Sequence, residues 1–226
     1  MPRWGMVIDL DKCSACGTCA IVCKAENNIP AVGPEETRKG RTLDWLEIIS
    51  ETEGEFPNAH QRFVPRPCMH CDKAPCVKVC PVHATYIDTD GLVAQIFNRC
   101  IGCRFCMAAC PYTVKKFNWF NYAAAAPSSL NNPDVSVRPV GVVEKCTFCV
   151  HRLQKARELA RLEGRELAKG EYTPACVAGC PSQAMVFGDM ADPQSEVSQL
   201  AHNPRAHALL EELGTHPKVI YLKEEK

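Results

Sequence analysis

Apolar and polar residues alternate over two short stretches, Thr85 to Ile87 and Leu92 to Ile96, which predict a strand pair turning at Asp90-Gly91. Between positions 151 and 170 the chain is charged. Leu153, Ala156, Leu159, Ala160 and Leu167 give it a thin apolar stripe at helical spacing, with Gly164 weakening its middle. That pattern suits a solvated helix or hairpin along one edge, or, more sharply read, a docking surface for a partner subunit. From Asp192 onward the pattern predicts helix, helix, strand. Pro204 opens a short helix, Gly214 ends it and Val219 to Leu222 form the last strand. Segments 43–63 and 117–143 read as surface loops with one small strand each. Trp45, Leu46, Ile48 and Ile49 in the first, and Trp119, Phe120, Tyr122 and the alanines Ala123 to Ala126 in the second, would mark interfaces where exposed. No apolar run approaches the ~20 residues needed to span a bilayer. The N-terminus, MPRWGMVIDLDKCSACG, carries no signal-peptide core and no twin arginine. The chain is therefore expected to be soluble in itself and to meet a membrane only through a partner.

The balance of 26 basic and 26 acidic residues gives no electrostatic reason to expect nucleic acid or an acidic membrane surface. Only 7% of residues are aromatic, so a core must be found elsewhere. The cysteines change the picture. All 16 fall into four groups: Cys13, Cys16, Cys19, Cys23; Cys68, Cys71, Cys76, Cys80; Cys100, Cys103, Cys106, Cys110; and Cys146, Cys149, Cys176, Cys180. The second, third and fourth groups end in Cys-Pro, whereas Lys24 follows Cys23. C-x2-C pairs also occur in zinc knuckles, and paired cysteines in exported scaffolds. Closely spaced triplets such as C-x2-C-x2-C instead wrap one corner of an iron–sulfur cubane, and ferredoxin spacing accounts for every cysteine. Sixteen thiolates are the ligand set of four [4Fe–4S] clusters. Loaded, the chain would carry a charge of about −8, at roughly −2 per four-thiolate cluster. Lys12, Arg99, Arg104 and Lys145, beside the motifs, are candidates to offset it.

In such motifs the first three cysteines hold one cluster and the fourth, at a helix start with proline in the first turn, reaches the other. The rule yields four sets: Cys13, Cys16, Cys19 and Cys180; Cys23, Cys146, Cys149 and Cys176; Cys68, Cys71, Cys76 and Cys110; Cys80, Cys100, Cys103 and Cys106. These same sixteen cysteines are the expected iron ligands, and no catalytic residue is expected. Group four is split by 26 residues after Cys149, yet groups one and four must meet. The expected fold is α+β: two nested bacterial-ferredoxin-like modules in a pseudo-two-fold relation around a cluster-dominated core. The outer module takes 1–30 and 141–190, the inner 64–116, the connecting loops 31–63 and 117–140, and a wrapping extension 191–226. His70, His83 and His151 lie near cysteines, but no cysteine is missing for them to replace. No Ser-His-Asp arrangement, phosphate loop or carboxylate pair stands out.

The blocks GMVIDLDKCSACGTCAIVCKAENN, PCMHCDKAPCVKVCP, CIGCRFCMAACPY, EKCTFCVHR, PACVAGCP and FGDMADPQSEVSQL resemble the four-cluster electron-transfer subunit of complex iron–sulfur molybdoenzymes, the dimethyl sulfoxide reductase family. Similar subunits serve polysulfide, thiosulfate, tetrathionate and arsenate reductases and sulfite dehydrogenases. The GVVEKCTFCVHR block also resembles the iron–sulfur part of alternative complex III. The resemblance implies two partners, a molybdenum (or tungsten) bis-pterin catalytic subunit and an integral-membrane, quinone-reactive subunit. It implies a non-catalytic respiratory wire, with the cluster of Cys13, Cys16, Cys19 and Cys180 nearest the pterin and that of Cys80, Cys100, Cys103 and Cys106 nearest the membrane. The missing signal points to the cytoplasmic side, while co-export with a twin-arginine partner would place the chain on the other. Alternatives are a formate dehydrogenase or hydrogenase wire, a free polyferredoxin (disfavoured by the cysteine-free loops and tail), and a zinc-stapled interaction module.

Overall fold

The computed structural model describes residues 2–121 and 128–224; Tyr122 and the alanines Ala123 to Ala126 lie outside the described residues. In chain order the strands are β1 (Trp4–Asp9), β2 (Glu47–Glu53), β3 (His60–Arg66), β4 (Thr85–Ile87), β5 (Val93–Gln95), β6 (Lys116–Phe117), β7 (Val143–Glu144), β8 (Met185–Asp189), β9 (Ala206–His207) and β10 (Val219–Leu222). The helices are α1 (Thr18–Glu26), α2 (Pro34–Arg38), α3 (Pro75–Lys78), α4 (Phe105–Ala108), α5 (Val150–Leu162), α6 (Ala175–Ala178) and α7 (Glu196–Ala201). Among the described residues the result is an α+β fold with one four-stranded sheet, in the order β8-β1-β10-β9, two hairpins, β2–β3 and β4–β5, and the two-stranded sheet β6–β7, whose strands are distant in sequence.

That sheet joins the two ends of the chain. β1 runs parallel to β10, from Met6 opposite Val219 to Asp9 opposite Leu222, and antiparallel to β8, from Trp4 opposite Asp189 to Ile8 opposite Met185. Met6, Val7 and Ile8 are consecutive and all buried, because both faces of β1 are covered. One face meets the main core. The other meets Val197 and Leu222 beneath α7.

Each motif helix is a single turn with its third cysteine inside: Cys76 in α3, Cys106 in α4, Cys176 in α6. The fourth cysteine therefore follows the helical turn instead of opening a helix, and proline then starts a reverse turn. Group one shows why. Lys24 in place of proline lets α1 continue for nine residues, to Glu26.

Three other expectations change. Segment 43–63 contributes β2 and the start of β3, a full hairpin, with Trp45 and Leu46 buried beneath it. Gly164 does not weaken the middle of a helix. It lies just past the end of α5 at φ +67°, a left-handed conformation that glycine adopts without a Cβ clash. Pro204 opens no helix: Ser195 caps α7 by accepting from Ser198 N–H, β9 follows Pro204, and the ALLEEL stretch keeps only a 3-10 turn at Glu211–Leu213.

Candidate metal centres

None of the 16 cysteines forms a disulfide, and the fold gathers them across the sequence order of the motifs. Cys13, Cys16, Cys19 and Cys180 line one cavity, with Ile48, Ala184 and Met185. Cys68, Cys71, Cys76 and Cys110 line another, with Met69, Val93, Pro111 and Tyr112. Cys23 is fully desolvated beside Cys146, Cys176 and Cys149, and Cys106 is buried beside Cys100, Cys80 and Cys103.

Burial dominates the chemistry of the thiols, and crowding adds to it. Desolvation, with like charge from neighbouring cysteines, pushes Cys19 up to about 11, Cys71 and Cys146 up to about 12, and Cys23 and Cys176 well above the ordinary range. Cys16 is fully exposed, and hydrogen bonding by Thr18 holds its thiol below the usual value. Deprotonated, four thiolates in an apolar cavity need a cationic centre, which is what an iron–sulfur core supplies. Among the described residues no three His, Cys, Asp or Glu side chains converge as ligands of a single ion do. The sulfurs ring cavities instead.

Charge links the groups: the Cys176 thiol feels Cys19, Cys146 feels Cys68, and Lys115 acts on Cys76 as well as on Cys80 and Cys106. The two exposed cysteines are Cys16 and Cys103.

Two family models match, both described as 4Fe-4S dicluster domains, over residues 5–81 and 59–128. The matched spans follow motif order along the chain, whereas the thiols gather across it. Over 97% of its length the chain is 49% identical to the menaquinone reductase iron-sulfur cluster-binding subunit of Nitratidesulfovibrio vulgaris, covering 88% of that protein. It is 40% identical to the arsenate respiratory reductase iron-sulfur subunit of a Shewanella species, covering 98% of this chain and 96% of that one. It is also 40% identical, over its full length and 80% of the relative's, to a putative dimethyl sulfoxide reductase iron-sulfur subunit of Halobacterium salinarum. The chain belongs to the iron–sulfur electron-transfer subunits of the complex iron–sulfur molybdoenzymes.

Around the thiols of this iron–sulfur subunit lie residues with no motif signal. Asn27, four residues after Cys23 on α1, points its amide at Cys23 Sγ (3.7 Å) and Cys149 Sγ (3.8 Å). Helical i,i+4 spacing could have found it. Tyr112 and Thr215, 2.6 Å apart, close the cavity of Cys71 from the C-terminal side, and neither position announces this. His70 is fully buried with both ring nitrogens occupied: Nδ1 accepts from Val93 N–H (3.1 Å) and Nε2 donates to Cys146 O (3.1 Å). It is a neutral structural residue stacked on Phe148, and burial holds its pKa well below the usual value. His151 pairs with Glu26 at 2.7 Å, and His83 is exposed. Of the basic residues expected to offset cluster charge, Lys12, Arg99 and Arg104 are exposed, and Arg104 lies over the Phe117 and Trp119 rings. Only Lys145 is buried. Gly102, in group three, sits at φ +69°, where an added Cβ would meet Gly141 O at 2.2 Å; only glycine fits there.

Proposed function

We propose that the sixteen cysteines hold four [4Fe–4S] clusters in two nested ferredoxin-like modules, and that the chain is a non-catalytic wire. It passes single electrons between a molybdenum (or tungsten) bis-pterin catalytic subunit and an integral-membrane quinone-reactive subunit. The observation that carries this reading is the gathering of Cys13, Cys16, Cys19 and Cys180 about one cavity and of Cys68, Cys71, Cys76 and Cys110 about another; it supports sets standing in file, with the exposed Cys16 and Cys103 at the two ends. A [4Fe–4S] cluster supplies a one-electron couple when bound. The chain supplies position, a desolvated surround and two surface ends. Cys13, Cys16, Cys19 and Cys180 form the end toward the pterin subunit, and Cys80, Cys100, Cys103 and Cys106 the end toward the quinone subunit. Relatives named as a menaquinone reductase subunit and an Hdr-like menaquinol oxidoreductase subunit support menaquinone as the quinone. Among the described residues no helix is long and apolar enough to cross a membrane, so attachment runs through the partner.

Iron and acid-labile sulfide analysis of anaerobically prepared holoprotein should give about 16 of each per chain. A value near 12, or a strong [3Fe–4S] signal in the fresh oxidised protein, would rule out four cubanes. Cys106→Ser should collapse quinone-linked turnover while artificial-dye activity at the catalytic subunit survives. Loss of both activities in an intact complex would mean that the order of the sets is reversed.

A further inference from the structure

Lys115 and Lys145 are buried, at 2% and 0% exposure, and among the described residues neither enters an ion pair. Every hydrogen-bond partner they have is neutral. Lys115 Nζ donates to Thr85 Oγ1 and Gln95 Oε1, each at 3.1 Å. Lys145 Nζ donates to Cys146 O (2.8 Å) and Val93 O. Lys218 is buried as well, but it has a carboxylate: Asp72 Oδ1 lies 2.9 Å from its ammonium. An ammonium withdrawn from water without a counter-ion is costly, so each of the two unpaired lysines calls for a negative group close by.

The surroundings identify that group. Lys115 lines the same cavity as Cys68, Cys71, Cys76 and Cys110. Its partner Thr85 follows Ala84, whose N–H donates to Cys80 Sγ at 3.2 Å, so its ammonium also faces the set of Cys80. Lys145 adjoins Cys146 in sequence, and its ammonium reaches Val93, which lines the cavity of Cys68. Each lysine therefore stands at the junction of two neighbouring cysteine sets. We infer that Lys115 and Lys145 are buried counter-charges that raise the one-electron potentials of the cluster pairs they separate, Lys115 between the last two sets and Lys145 between the middle two.

The sign follows from charge. Reduction adds one negative charge to a cluster, and a fixed cation in a desolvated surround stabilises the reduced form more than the oxidised one. Beside Cys23 and Cys149 the polar groups are instead the neutral Asn27 and the Glu26–Arg152 ion pair at 2.5 Å, whose charges offset each other. Both lysines thus serve the three clusters farther from the pterin end and bias reduction toward the quinone end.

The inference rests on the four-cluster reading, and the experiment separates the two. Wild-type holoprotein, purified anaerobically with its accompanying subunits, is first analysed for iron and sulfide; a count far from 16 per chain would defeat the four-cluster reading itself. Given four clusters, Lys115→Met and Lys145→Met are titrated potentiometrically and followed by electron paramagnetic resonance. Lys115→Met should lower the potentials of the last two clusters, and Lys145→Met those of the middle two. Each shift should be at least tenfold in the reduction equilibrium, about 59 mV for one electron, with the Cys13 cluster unmoved. Unchanged potentials with all clusters present would overturn the inference. If the Met variants lose iron, Lys→Gln and Lys→Arg decide the matter. Clusters kept with Arg and lost with both neutral residues support the counter-charge, and loss in all three variants overturns it.

Discussion

Stripped of iron and sulfide, the chain should lose its cooperative fold. Among the described residues, three of the seven helices are four-residue turns, and the longest, α5, has 13 residues. Isolated helices below ~12–15 residues are marginal in water, and so are isolated two-stranded hairpins such as β2–β3 and β4–β5. The main core is threaded with thiols: Cys19, Cys23, Cys68, Cys71, Cys76, Cys106, Cys146 and Cys176 are buried within it. Without iron those thiols leave gaps or, once ionised, repel. A single structural metal site contributes on the order of 10–16 kcal/mol, against a net stability of about 5–15 kcal/mol for a whole domain. Calorimetry and near-UV circular dichroism of chelator-treated protein should therefore show no cooperative melt. The small cluster of Val7, Val197 and Leu222 under α7 should keep some residual strand structure but no transition of its own. A cooperative transition in metal-free protein would show that side-chain packing carries the fold.

The cysteine spacing was enough to expect Cys180 beside Cys13 and Cys110 beside Cys68, which line common cavities, because the shared-ligand rule is a constraint on geometry and needs only the order of the motifs. The β4–β5 hairpin was legible in the same way, since Asp90-Gly91 marks its turn and Gly91 takes φ +71°. The β2–β3 hairpin was not. Its strand residues from Ser50 to Gln61 are all polar and exposed, so period-2 alternation of apolar and polar positions is absent over that part of the pairing. β9 pairs through two residues and owes its existence to β10 beside it, a tertiary effect no local window contains. Lys115 and Asn27 escaped for a related reason. A single polar residue acquires its role from what surrounds it in space, and Lys115 meets Thr85 and Gln95 only after β4 and β5 have paired.

Cys180→Ser should loosen the N-terminal motif without releasing the N-terminal strand. Cys180 lies 161 residues beyond Cys19, yet both line one cavity with Cys13 and Cys16. Closing so long a loop is entropically costly, and two structures share the task. One is the sheet: β1 is hydrogen-bonded on both sides, to β8 and β10, and takes no ligand from Cys180. The other is the cluster the proposed set would hold, because Cys13 and Cys16 lie outside any helix and α1 touches α6 through Val22 against Gly179. Loss of that cluster should therefore raise amide hydrogen exchange over residues 10 to 25 by at least about tenfold, ~1.4 kcal/mol of local opening free energy. Met6 to Ile8 should stay protected. Cys106→Ser, in the set farthest along the file, should leave the same segment nearly unchanged. Unaltered protection at 10 to 25 after Cys180→Ser, with the iron demonstrably gone, would mean that the sheet alone clasps the termini and that the outer pair is not shared between groups one and four.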